Sequence, residues 1–93
     1  MSKQTSFAHQ REILERFSSL LQGLGREVEN INEKYEATVL SLYEEDGLME
    51  EIYLDYKNVY MDPIRKIIDS TITKIKEDHI AFVEKEIDFI SSR

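Results

Sequence analysis

Apolar side chains recur along the first half of the chain at alternating steps of three and four residues. The series runs Phe7, Leu14, Phe17, Leu21, Leu24, Val28, Ile31, Tyr35 and Leu42, with Gln10 and Thr38 as its two polar members. Such spacing, held through about five heptads, is the seam of a helix packed lengthwise on another helix. Ile13 and Leu20 widen the stripe, which suits a bundle better than a bare two-stranded coil. The pattern predicts one helix over about residues 5–44. Gly23 and Gly25 lie inside it, off the seam, and each costs about 1 kcal/mol relative to alanine. The series stays in phase across both, which predicts an unbroken helix with either a weak point or a close approach of another backbone there.

Beyond Gly47 a second stripe begins with Leu48, Ile52, Tyr53, Tyr56, Tyr60, Ile64, Ile67 and Ile68. It continues through Ile72, Ile75, His79, Val83, Ile87 and Ile90, mostly at steps of four, close to the repeat of a nearly straight helix. This predicts a second helix over about 48–91. Pro63 interrupts it. The phase through Tyr60, Ile64 and Ile68 favours a kinked but continuous helix, whereas Asp62–Pro63 would also serve as the N-cap and first turn of a new one.

Two helices of roughly 40 and 44 residues, each about 60–65 Å long, are joined by a bend at 45–47 and fold back on each other. The expected fold is therefore all-α: an antiparallel hairpin of two long helices, the second kinked near Pro63, spanning 1–93 as one domain. Such a hairpin has little interior. Tyr43, Leu54, Ile67, Phe82 and Phe89 stay partly exposed beside the seam, and exposed apolar stripes mark interfaces. Pairing with a second copy or another hairpin into a four-helix bundle covers them. The expected partner interface is Leu14, Phe17, Leu21, Leu24, Val28, Ile31, Tyr53, Tyr56, Tyr60, Ile64, Ile67, Ile68, Phe82 and Phe89.

Composition narrows the remaining choices. A net charge of −7, spread evenly over both halves, argues against nucleic acid as a partner, because phosphate binding needs a basic stripe. No run of 18 apolar residues predicts a membrane span. The start, MSKQTSFAHQ, lacks the apolar core of a cleavable secretory signal, which places the chain in the cytoplasm unless a signal-independent route exports it. Cysteine is absent, so thiolate metal sites and disulfides are excluded.

Little in the sequence resembles catalytic chemistry. His9 and His79 come near the open end of the hairpin, with Glu12 and Asp78 nearby in sequence, yet the Glu-x-x-His and His-Glu-x-x-His spacings of metal sites are missing. No nucleophile elbow or glycine-rich phosphate loop occurs. No catalytic, metal or cofactor residues are assigned, and no small-molecule substrate is expected. The five carboxylates of Ser41–Glu51 (SLYEEDGLMEE) have structural roles. Glu44 and Glu45 end one helix against its dipole, Asp46 caps the next, Gly47 gives a permissive backbone, and Glu50 and Glu51 suit a first turn. Tyr35, Tyr43, Tyr53, Tyr56 and Tyr60 gather toward the bend, where packing and interface roles are equally open.

A hairpin of just under 100 residues with glycine at its bend resembles the WXG100 (Esx-type) family in architecture. The bend here, Tyr43-Glu44-Glu45-Asp46-Gly47, sets its aromatic residue and glycine further apart than the family's Trp-x-Gly motif, which is absent. Phe82-Val83-Glu84-Lys85-Glu86 loosely matches the family's C-terminal Tyr-x-x-x-Asp/Glu export signal. The resemblance implies a small secretion-associated protein that acts as a dimer, with Phe82 and Glu86 read by a type VII export machine. The alternative is a cytosolic coiled-coil adaptor or chaperone that covers a partner's helix.

Overall fold

The structure is a computed structural model that describes residues 6–92. These residues are helical almost throughout. Helix α1 runs Phe7–Glu44 and crosses Gly23 and Gly25 without a break. The expected first residues of this helix, before residue 6, lie outside the described residues. After a turn, α2 (Glu50–Tyr56), α3 (Asp62–Lys74) and α4 (Ala81–Ser91) follow, joined by single π-helical turns at Lys57–Met61 and Ile75–Ile80.

The helical backbone passes Pro63 uninterrupted. Asp62 has φ −64° and ψ −42°, an ordinary helical residue and not the N-cap of a new helix. Its N–H bonds back to the Lys57 carbonyl, five residues earlier. A proline ring strikes the carbonyl four residues before it and offers no N–H in return. The wider π turn just upstream loosens that part of the ladder, so the chain absorbs Pro63 within a helix.

Contacts group the chain into two compact units, one joining the segment up to Gly25 to the segment from Thr73, the other comprising Arg26–Ile72. In the first unit, Leu21, Ile75 and Val83 form the buried centre, and Leu14, Ile80 and Ile87 pack against it. Val83 is fully enclosed. The second unit contains the bend. Tyr43 at the end of α1 stacks on Tyr53 of α2, ring centroids 4.9 Å apart and nearly parallel. The Tyr43 hydroxyl donates to Glu50 Oε1 at 3.1 Å. This clasp folds the second unit into a helical hairpin.

The bend differs in detail from expectation. Met49, with extended backbone, occupies the N-cap position of α2 and supplies no side-chain cap, so Asp46 does not cap that helix. Asp46 belongs instead to the turn that closes α1, its N–H bonded to the Ser41 carbonyl at 3.2 Å. Gly47 follows at φ +85°, a conformation costly for a side chain with a Cβ, and this lets the Leu48 N–H return to the Leu42 carbonyl at 2.8 Å.

The inward stripe of α1 is shifted from the expected seam. Leu14, Leu21, Val28 and Tyr35 are buried or half-buried, but the residues that alternate with them are Ser18, Gly25, Asn32 and Val39. The expected alternates Phe17, Leu24 and Ile31 are exposed. A Cβ built at Gly25 would meet only Ile75 Cγ2, at 4.0 Å, an ordinary van der Waals contact.

A matching shift occurs in the second half. Within the first unit, Ile75, Ile80, Val83, Ile87 and Ile90 turn inward and His79 is exposed, contrary to the stripe expected through His79. The step of five from Ile75 to Ile80 cannot stay on one face of a regular α-helix, and the π turn at those residues accommodates it. In the second unit Met61 is buried and Arg65 and Ile68 half-buried, while Tyr60, Ile64 and Ile67 face outward.

Candidate functional site: exposed apolar tracks

The shift leaves a second apolar track on the outside of each unit. Among the described residues, five hydrophobic side chains are buried and seventeen large ones are exposed, so covered apolar surface is the exception. In the first unit, Phe17 and Phe82 flank a groove floored by Leu21 and Val83, with Asp78 and His79 at its edge. Phe82 is 60 % exposed. In the second unit, Ile31 and Tyr35 of α1 face Ile64 and Ile68 of α3 across a groove with Asn32 on its lining. Ile31 is 67 % exposed and Ile67, one turn along from Ile64, 63 %.

Of the interface residues expected from the sequence, Leu21 and Tyr53 are buried within their own units, and Leu14, Val28 and Ile68 are half-buried. Phe17, Leu24, Ile31, Tyr56, Tyr60, Ile64, Ile67, Phe82 and Phe89 are exposed. Glu86 is half-buried on α4, one turn beyond Phe82. The expected set thus divides into an inner part that holds each unit together and an outer part that remains uncovered.

The charged groups gather elsewhere in the second unit. The Arg65 guanidinium grips Glu36 with two hydrogen bonds, Nη2 to Oε1 at 2.9 Å and Nε to Oε2 at 3.2 Å. Its Nη1 also reaches Glu29 at 3.3 Å and Asp69 at 3.2 Å. Bonding to Arg65 holds the Glu36 carboxyl below its ordinary range against the opposing effect of desolvation. The same carboxylates push the Arg65 pKa upward. Periodicity missed this clamp because it marks apolar positions, and Arg65 lies on the inward stripe.

The tyrosines near the bend take two roles. Tyr35 and Tyr56 share a hydrogen bond between hydroxyls, and that bond, with some desolvation, pushes the Tyr35 pKa up to about 12. Tyr56 and Tyr60 also touch through their rings, at a centroid separation of 5.5 Å. Tyr53 is buried by its stack on Tyr43, whereas Tyr56 and Tyr60 extend the outward face.

The two histidines do not come together in a ligand set. His9 lies 3.9 Å from Glu12 on its own helix, while His79 borders the Phe17–Phe82 groove. Among the described residues, no three His, Asp or Glu side chains converge on a point that could hold a metal ion, the bend carboxylates included. No described helix is long and apolar enough to cross a membrane. No family model matches the chain, and no curated protein or solved structure matches it either.

Proposed function

We propose that this chain is a non-enzymatic interaction hairpin that pairs through the apolar side chains exposed on each of its units, as a dimer that completes a four-helix bundle. One observation carries this reading. Helix α1 turns Leu14, Leu21, Val28 and Tyr35 inward together with Ser18, Gly25 and Asn32, and leaves Phe17, Leu24 and Ile31 outside. A helix with a single neighbour gains most by burying its largest apolar side chains, at about 1.5–3 kcal/mol each. Leaving Phe17, Leu24 and Ile31 uncovered as well makes sense for a helix with two neighbours. The inward residues meet the first, and the large outward ones meet the second.

Charge is consistent with pairing between like chains. The groove lined by Ile31, Asn32, Tyr35, Ile64 and Ile68 includes no charged residue, although the chain carries −7 overall, whereas the Phe17–Phe82 groove has Asp78 and His79 at its edge. Two copies can therefore meet at the groove of the second unit without opposing carboxylates at the centre of contact. Sedimentation equilibrium of the purified chain tests the proposal. A dimer is expected, with Ile31→Glu and Phe82→Glu each shifting it toward monomer. A well-folded monomer that does not associate at high concentration contradicts it.

The likeness to the Esx-type hairpins extends the proposal to export. Its support is the outward Phe82 with Glu86 one turn beyond on α4. Phe82 belongs to both the pairing face and the export signal, so Glu86→Ala is the cleaner variant. Loss of the protein from the medium with the dimer intact supports export recognition. Unchanged export, or absence of the native protein from the medium, favours the adaptor reading, in which the same face covers a partner's helix in the cytosol.

A further inference from the structure

We infer that the bend end of the second unit is a docking surface for a lysine- and arginine-rich amphipathic helix of a partner protein. Met49, Ile52, Tyr56 and Val59 recur there at steps of three and four residues, and all four are exposed, Met49 by 60 % and Val59 by 59 %. Such spacing sets them along one side of the helix. None of them lines either groove, so this stripe lies outside the grooves offered for pairing and the inference stands apart from that reading.

Charge identifies what covers the stripe. Folding concentrates a charge that is spread evenly along the sequence. Arg26–Ile72 holds twelve carboxylates against five lysines and arginines, which accounts for the whole net charge of −7. Between Tyr35 and Tyr56 there are seven carboxylates and no lysine or arginine. Glu44, Glu45, Asp46, Glu51 and Asp55 are exposed. The ion pairs of this unit lie elsewhere, Arg65 with Glu29, Glu36 and Asp69, and Lys57 with Asp62, so these five have no counter-charge in the chain. Glu51 and Asp55, four residues apart, form a row beside the stripe, and like charges at that spacing repel.

A basic amphipathic helix answers both features. Its apolar face covers the stripe, and its cations meet the unbalanced carboxylates. A second copy would set the same carboxylates against themselves, and an anionic membrane surface would be repelled in the same way. Among the described residues, no three carboxylates or histidines converge on a point that could hold a metal ion. The negative charge is thus laid out for a row of side chains and not gathered around a single cation.

Fluorescence anisotropy of the full chain with a labelled peptide of about 18 residues, roughly five helical turns of lysine with leucine along one face, tests the inference. A peptide of the same composition with its leucines dispersed, and one with glutamate in place of lysine, are the controls. The basic amphipathic peptide should bind, less tightly as salt is raised, and both controls should bind several-fold more weakly. Glu51→Gln with Asp55→Asn, and separately Ile52→Ser, should each weaken binding several-fold with helix content unchanged by circular dichroism. Glu84→Gln with Asp88→Asn makes the same change of charge on exposed residues of α4 and should leave binding unchanged. Equal weakening by the two charge pairs, or equal binding of the dispersed peptide, overturns the inference, because either shows only the attraction of a polycation to an acidic chain. Dissociation of the native dimer as the peptide binds also overturns it, by placing the peptide on the pairing face. The peptide controls need no substitution and decide the matter if a variant unfolds. A native monomer that binds the peptide in the expected pattern supports the inference and refutes the pairing proposal, which separates the two.

Discussion

Arg65 and Glu36 form a two-pronged ion pair between α3 and α1 within the second unit, with N–O distances of 2.9 and 3.2 Å. The two residues are 29 positions apart in sequence, so the pair reports native packing of that unit and not local helix formation. Paired planar groups of this kind combine charge with fixed geometry.

Acid should weaken the second unit through this pair. Arg65 lowers the Glu36 pKa in the folded chain from the ordinary 4.5. The associated stability is thus fully present above that value and is lost as pH falls through the folded one. Arg65→Met should lower the midpoint of thermal unfolding at pH 7 and flatten the decline between pH 5 and pH 3. An unchanged acid limb in that variant would show that other carboxylates govern it.

At the alkaline end the sign reverses. The Tyr35–Tyr56 hydroxyl bond raises the folded pKa of Tyr35 to about 12. Its contribution is complete below the ordinary tyrosine value of 10.0 and disappears as pH rises through the folded value. Tyr43, bonded to Glu50, is also raised. Ultraviolet titration of phenolate should therefore show part of the tyrosine absorbance appearing late, with Tyr56→Phe moving one late step back toward 10.

The glycines should separate cleanly. A Cβ at Gly23 meets nothing within 4 Å, and one at Gly25 meets only an ordinary contact with Ile75. Gly23→Ala and Gly25→Ala should each stabilise the chain by about 0.5–1 kcal/mol in urea unfolding at fixed protein concentration. Gly47→Ala should cost about 1–2 kcal/mol, because its positive φ is strained for any side chain.

Inner and outer apolar residues should respond differently. Val83 is fully enclosed, and Val83→Ala should cost about 2 kcal/mol by removing buried methyl groups and leaving a cavity. Phe82, its neighbour in sequence, faces outward. Phe82→Ser should preserve helix content by circular dichroism while weakening self-association, and a strong loss of helix in dilute solution would place it in the inner core instead.

How far the sequence foretold this depends on the range of the interaction involved. Helical character, the bend near Gly47 and a broad apolar stripe on each helix follow from bonds between residues three to five apart and from the side chains themselves, so periodicity reveals them. Periodicity also showed that α1 stays in phase across its glycines. It misplaced the cap at Asp46, because the closing turn of α1 claims that residue, and it put His79 on the inner stripe, because spacing in sequence does not reveal a π turn.

Which of two adjacent tracks faces the companion helix was decided by tertiary structure. Phe17, Leu24 and Ile31 are the natural seam on hydrophobicity alone, yet Ser18, Gly25 and Asn32 face inward. Apolar character ranks residues by what they gain on leaving water, whereas packing ranks them by how closely two backbones can approach. The second criterion depends on partners distant in sequence, such as Arg65 and Glu36, that only the folded chain brings together.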